Sequence, residues 1–160
     1  MSYPAGRGEV SAVFRSERQV EQVTFATSGT VARFVAPGSL TRGRYGLFEW
    51  NMQPRSGGSD PHFHKTFSEA FYVMSGTVLL YNGVTWAPTS AGEFLYVPEG
   101  GIHAFRNDGD VPVSMLILFA PGPPREEYFR ELAAIAAEGR TLTEDEWTDL
   151  FARHDQYRAE

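Results

Sequence analysis

Between Val10 and about Ala120 the chain is a succession of short apolar, β-branched and aromatic runs, separated by turn residues every eight to twelve positions. This spacing predicts many short antiparallel strands, and therefore a sandwich or a barrel. Hydrophobic residues make up 42% and aromatic residues 14% of the 160 residues. That is enough apolar material to fill one core, and the chain is too short for two ordinary domains. We therefore expect one all-β domain.

Turn residues place the individual strands. Asn82-Gly83 predicts a type I′ hairpin between strands at 77–81 and 84–87, because Asn and Gly accept the positive φ angles of that turn. A second hairpin is expected between 103–107 and 111–119, through Asp108-Gly109-Asp110. Earlier strands are expected over residues 21–27, 30–36 and 44–52.

The apolar period changes from two to about 3.6 after Pro121-Gly122-Pro123-Pro124. An apolar stripe at helical spacing predicts an amphipathic helix; its members are Tyr128, Phe129, Leu132, Ala133, Ile135 and Ala136. Thr143 and Glu146 form a capping-box signature, which predicts the start of a second short helix. We expect this short C-terminal helical tail to pack against the outside of the barrel or against a partner subunit.

Charge and composition exclude several classes of function. The formal charge of −6 lies mostly in residues 121–160, so the main body is nearly neutral and has no basic stripe for nucleic acid or an anionic membrane. Cysteine is absent, which excludes disulfides, thiolate ligands and a cysteine nucleophile. The N-terminus has no apolar stretch typical of a signal peptide, and the longest apolar run, 115–120, is too short to span a bilayer. We expect a cytoplasmic protein.

Three histidines and one glutamate are candidate metal ligands. His62 and His64 point to the same face of a strand, because side chains alternate along it. Glu69 follows after only four residues, and His103 comes after a turn at 98–100. Imidazole and carboxylate are ligands that suit Fe, Mn, Ni, Cu or Zn. A fourth histidine, His154, falls near the apolar stripe of the tail, and we interpret it as structural.

The spacing around these residues resembles the two sequence motifs of the cupin superfamily. The motifs read His62-x-His64-x4-Glu69-x6-Gly76 and Gly92-x5-Pro98-x-Gly100-x2-His103-x3-Asn107. The first motif departs from the family pattern at its leading glycine, where this chain has Ser56 followed by two glycines. The resemblance covers roughly residues 40–120.

This resemblance implies a double-stranded β-helix, the jelly-roll-like barrel of the cupins, over residues 1–120 with its N-terminal strands. Residues 121–160 would be a helical extension of the same domain. It also implies that His62, His64, Glu69 and His103 bind one divalent metal ion, with Fe(II) favoured and Mn, Ni, Co, Cu or Zn as alternatives. Glu69 would be a ligand or would act as a general base.

The chain resembles single-domain, quercetinase-like cupins in particular. That resemblance implies a metal-dependent dioxygenase that acts on an aromatic or polyketide-like small molecule, and a homodimer. Two alternatives stay open: a non-redox cyclase or isomerase, and a cupin that only binds a small molecule. The aromatic residues that we expect to line the substrate pocket are Phe48, Trp50, Phe71 and Phe105.

Overall fold

Antiparallel strands are the main regular elements of the computed structural model, which describes residues 3–160. Within those residues the strands are β1 Gln22–Thr24, β2 Val31–Ala36, β3 Gly46–Met52, β4 Gly57–Gly58, β5 His62–Phe63, β6 Ser68–Ser75, β7 Thr77–Tyr81, β8 Trp86–Ser90, β9 Phe94–Val97, β10 Ala104–Asn107, β11 Val113–Ala120 and β12 Tyr157–Arg158. The helices are α1 Arg125–Ala137 and α2 Glu144–Arg153, preceded by a 3-10 turn at Glu17–Gln19. The predicted β-rich chain with a C-terminal helical tail is confirmed.

Most of the strands belong to two larger sheets. The larger has the strand order β1-β2-β3-β11-β6-β9, and the smaller has the order β4-β10-β7-β8. A third, two-stranded ladder joins β12 at the C-terminus to β5. In the described part of the chain no strand ladder joins the two larger sheets, so the architecture fits a double-stranded β-helix that is not closed by hydrogen bonds into a barrel.

Two of the predicted turns are wrong in detail. The loop at Asn82 has four residues rather than two, because Tyr81 pairs with Trp86 and the Asn82 side chain accepts hydrogen bonds from the backbone N–H groups of Val84 and Thr85. The segments 103–107 and 111–119 do not form a hairpin with each other. Instead β10 pairs with β4 and β7, whereas β11 pairs with β3 and β6 in the opposite sheet.

The aromatic core lies between the sheets and under helix α1. Strand β3 alternates strictly between buried and half-buried positions, which directs Phe48 and Trp50 inward. Phe129 of α1 packs edge-on against both of these rings, at centroid distances of 5.2 and 5.0 Å. The helices therefore do not lie against the outside of the sheets. They cover the open side of the core.

The second helix, α2, begins where the sequence predicts. The Thr143 hydroxyl accepts from the Glu146 N–H, and the Glu146 carboxylate accepts in return from the Thr143 N–H, which is the predicted capping box. Among the described residues no helix is long and apolar enough to cross a membrane.

Candidate metal centre

The four candidate ligands come together although they lie on separate elements. His62 on β5 and His103, just before β10, are direct cross-strand partners, joined by N–H to carbonyl hydrogen bonds of 3.0 and 2.9 Å in both directions. His64 follows β5, and its carbonyl accepts from the Gly100 N–H at 2.7 Å, which fixes the 98–100 turn that precedes His103. Glu69 enters from the start of β6 in the other sheet.

All four side chains are buried, and one atom of each lies within 4.8 Å of the others. The Glu69 Oε2 atom is 3.0 Å from His64 Nε2 and 2.7 Å from His103 Nε2. Two ligand atoms bound at right angles to one ion, each about 2.1 Å from it, are about 3 Å apart. The spacing is therefore the spacing of neighbouring ligands around one ion.

The outer nitrogen of each imidazole is fixed by a backbone carbonyl. Nδ1 of His62 lies 2.7 Å from the Asp60 oxygen, Nδ1 of His64 lies 2.7 Å from the Asp155 oxygen, and Nδ1 of His103 lies 3.0 Å from the Gly101 oxygen. A carbonyl only accepts, so each Nδ1 carries the proton and donates it. In the neutral imidazole the lone pair is then on Nε2, as a metal ligand requires.

This donor set fits a cation. With Nδ1 protonated, neutral His64 and His103 would each direct a lone pair at the Glu69 carboxylate, and this contact between acceptors is repulsive in a buried site. Positive charge at the centre removes the repulsion, and only protons on the imidazoles or a metal ion can supply it. The buried cluster can therefore bind a metal ion.

Burial and the neighbouring ligands shift the pKa values of His62, Glu69 and His103 in different directions. Burial lowers the pKa of His62 to about 3, with His103 adding to the effect, so His62 is neutral at physiological pH. Burial opposes ionisation of Glu69, but the adjacent His103 and His64 outweigh it and hold the pKa of Glu69 well below its ordinary value. Burial likewise opposes protonation of His103, but Glu69 outweighs it and raises the pKa of His103. Without an ion, each of these two groups therefore favours the charged form of the other.

A cavity of about 600 Å³ lies beside this cluster. His62 and Glu69 form part of its wall, and the helical tail forms much of the rest through Tyr128, Phe129, Leu132, Trp147 and Phe151. Trp50 and Phe105, two of the predicted pocket residues, also lie in the wall. The structure places Phe48 and Phe71 elsewhere. Both are 0% exposed and fill the core behind the wall, where Phe48 packs against Phe34 and Phe119.

Sequence reasoning missed two groups of residues at the site. Arg125, Tyr128 and Gln156 from the tail line the cavity, and all three are buried. Arg125 carried a signal, since it stands three and four residues before Tyr128 and Phe129 and so extends the apolar stripe of α1. Asp155, whose carbonyl accepts from His64, carried none, because any residue has a backbone carbonyl. His154 lies outside the cluster, with Nε2 2.8 Å from a Glu131 carboxylate oxygen.

Comparison with known proteins identifies the fold. Residues 48–119 match the family model of the cupin domain. The fold is that of a cupin. The sequence matches no curated protein. Three solved structures share the cupin fold at 16–20% identity, which establishes the fold alone.

The three structures cover most of this chain. KdgF from Halomonas sp. is 16% identical, with a TM-score of 0.62 over 72% of this chain and 99% of its own. The polyketide cyclase RemF from Streptomyces resistomycificus is 18% identical, with a TM-score of 0.58 over 75% of this chain and 94% of its own. A sugar phosphate isomerase from Silicibacter pomeroyi is 20% identical, with a TM-score of 0.57 over 66% of this chain and 73% of its own.

Proposed function

We propose that this cupin is a metal-dependent enzyme that acts on an aromatic or polyketide-like oxygenated small molecule, with dioxygenase chemistry. The observation that carries the proposal is the convergence of three Nε2 atoms and one carboxylate next to an aromatic cavity of about 600 Å³. A cavity of that size accommodates a molecule of a few fused rings. His62, His64, Glu69 and His103 would hold the ion, and Fe(II) is the ion that we propose.

The ion, when bound, would supply a Lewis acid that lowers the pKa of an enol or phenol oxygen and a redox partner for oxygen. The chain's own residues supply the remaining functions. Glu69 is the candidate proton acceptor, because Oε2 faces the histidines while Oε1 makes no hydrogen bond within residues 3–160 and Glu69 lies in the cavity wall. Trp50 and Phe105, whose rings pack edge to face at 5.9 Å, offer surfaces for a flat ring.

The helical tail would exclude water from the reaction. Tyr128, Phe129 and Leu150 of the two helices are at most 4% exposed, and they belong to the same core as the inward residues of β3. A reactive carbanion or enolate in this cavity would therefore be shielded from solvent protons.

Two measurements test the proposal. Metal analysis of protein purified without chelators should give about one first-row ion per chain, and His103→Ala should lose it while His154→Ala, outside the cluster, should retain it. Oxygen uptake by the Fe(II)-loaded protein should then occur with flavonols or related enediols. Metal-loaded protein that consumes no oxygen with any of them would refute the dioxygenase reaction.

A non-redox reaction is the second candidate, because two structures of the same fold are a polyketide cyclase and a sugar phosphate isomerase by name. In this reaction Glu69 would move a proton and the ion would act only as a Lewis acid. Turnover of an aromatic polyketide under nitrogen, with Zn(II) in place of Fe(II), would favour it over the dioxygenase. A bound molecule that is always recovered unchanged would contradict both enzymes.

A further inference from the structure

One buried charge in the cavity wall has no role in holding the ion. Arg125, the first residue of α1, is 4% exposed and lines the same cavity as Glu69 and His62. Arginine stays protonated in proteins, so this is a buried positive charge. Burying a charge is costly unless an opposite charge or a set of hydrogen bonds compensates for it.

In the described part of the chain, the groups that contact this guanidinium are all neutral. Nη1 donates to the His154 carbonyl at 3.0 Å and Nη2 donates to Gln156 Oε1 at 3.2 Å, while Nε has no partner within residues 3–160. No carboxylate in the described part of the chain lies within ion-pair distance of the guanidinium, Glu69 included. Burial raises the pKa of Tyr128 to about 12, so the phenol whose ring lies 4.2 Å from the guanidinium is also neutral.

Aromatic rings surround the guanidinium without neutralising it. Its central carbon lies 4.2–5.5 Å from the ring centroids of Phe67, Phe119, Tyr128 and Phe129. These contacts favour a cation and also keep water away, so an anion that reaches the guanidinium would meet a weakly screened charge. With a divalent ion on the four ligands, Glu69 would no longer balance the charge of the cavity, and the wall would be net positive.

We propose that Arg125 binds a carboxylate of the molecule that enters this cavity, so that the substrate is an aromatic carboxylate. The inference rests on the proposed function, because it names a group on that substrate. A carboxylate matches the planar guanidinium and would take up N–H donors that the chain leaves free, since only two of the five are used. A phosphate fits less well, because the buried part of the wall offers a single arginine.

Arg125 also joins α1 to the C-terminal segment through His154 and Gln156, so the experiment must separate anchoring from binding. The probes are 2-naphthoate and its uncharged counterpart 2-naphthamide, titrated by calorimetry. The protein is used first stripped of metal by a chelator and then loaded with Zn(II). We expect the stripped wild-type protein to bind naphthoate at least about tenfold more tightly than naphthamide.

Variants test whether Arg125 causes the preference for naphthoate over naphthamide. Arg125→Met should abolish it while retaining naphthamide binding, which reports an intact cavity, and Arg125→Lys should retain part of it. Arg130→Met removes a charge from the same helix at an exposed position paired with Glu21, and it should leave the preference unchanged. A naphthoate preference that survives in Arg125→Met, or that is missing from wild-type protein, would overturn the inference.

A second readout uses the wild-type chain, in case Arg125→Met does not fold. The arginine Nε–H resonance that disappears in Arg125→Lys should shift when naphthoate is added and should not shift with naphthamide. An unchanged resonance at saturating naphthoate would also overturn the inference. Because the first titration needs no metal, a failure of metal-dependent turnover and a failure of carboxylate binding are distinguishable.

Discussion

Asp155→Ala should weaken both the fold and the metal site, because Asp155 connects the C-terminus to the ligand loop. Its carboxylate accepts from the Thr66 N–H at 2.8 Å, from the Thr66 hydroxyl at 2.6 Å and from the Lys65 N–H at 3.2 Å. Its own carbonyl accepts from His64 Nδ1 at 2.7 Å. The alanine keeps this carbonyl but loses the three bonds that hold it in position.

The magnitude follows from those bonds and from the backbone. Three partly exposed hydrogen bonds, each with a net contribution of about 0.5–1.5 kcal/mol, give a loss of roughly 2–3 kcal/mol. Asp155 also has a φ of +51°, where alanine is less favourable than aspartate by up to about 1 kcal/mol. The total of about 3 kcal/mol corresponds to a fall in Tm of about 6–12 °C for a chain of this size. Loss of the His64 support should weaken metal binding by about 10–100-fold.

Thermal unfolding followed by circular dichroism and Zn(II) affinity measured by chelator competition test this reasoning. Asp155→Asn, which tolerates the positive φ and keeps one acceptor oxygen, should lose about half as much stability as the alanine variant. Asp149→Ala is the matched control, because that aspartate is exposed on α2 and its side chain makes no hydrogen bond within the described residues. A Tm within 2 °C of wild type for Asp155→Ala, or an unchanged Zn(II) affinity, would refute the argument.

Four further outcomes are expected. Zn(II) affinity should depend on pH, because Glu69 raises the pKa of His103 and a proton on that imidazole competes with the ion. The affinity should fall by roughly tenfold for each pH unit below that pKa. A Zn(II) affinity that does not change between pH 5 and 8 would contradict this prediction. Burial raises the pKa of Tyr128 from 10 to about 12, so the contribution of this phenol to stability is complete below pH 10 and is lost as pH rises through 12. In denaturant titrations, the difference in unfolding free energy between wild type and Tyr128→Phe should therefore shrink by about 1.4 kcal/mol from pH 9 to pH 11. Gly76→Ala should lower the free energy of unfolding by at least about 2 kcal/mol, because a Cβ there would lie 2.3 Å from the Pro112 oxygen. Gly92 has a similar positive φ and open space around it, so Gly92→Ala should lower the same quantity by only about 1 kcal/mol. Thermal unfolding of both variants measures the difference. Phe94 on the edge strand β9 is 61% exposed, and we propose that a second copy of the chain covers it. Phe94→Glu should therefore reduce the mass measured by light scattering from that of a dimer to that of a monomer. A monomeric wild-type protein would contradict this.

The spacing of apolar residues and the turn and capping residues predicted individual strands and the start of α2, because these features act over a few neighbouring residues. Each of the strands β1, β2 and β3 lies within its predicted segment, and the capping box begins α2 where Thr143 and Glu146 indicate. Strand pairing is different in kind. The turn at 108–110 has the residues of a hairpin, yet the chain crosses there to the other sheet. The side-chain amide of Asn107 donates hydrogen bonds to the carbonyls of Gln53 and Val111. An alternating strand pattern does not specify which neighbour completes its hydrogen bonds.

The tail shows a second limit of the sequence. The apolar stripe of α1 indicates that something covers it, but both an outer sheet surface and the open side of the core would satisfy the same stripe. The residue that separates the two positions is Arg125, because a buried arginine on an apolar stripe needs a polar lining opposite it, and the outer surface of a sheet does not provide one. Its hydrogen bonds to His154 and Gln156 bring the last residues back across the core.

The candidate metal centre depends on the tail as well as on the motifs. The motifs specify the four ligand side chains, whereas the orientation of the imidazoles comes from the carbonyls of Asp60, Gly101 and Asp155. The last of these three carbonyls lies 91 residues from the histidine that it orients, and it is held there by the pairing of β12 with β5. Since the tail also supplies much of the cavity wall, the segment that orients His64 belongs to the same part of the chain that lines the space beside the metal ligands.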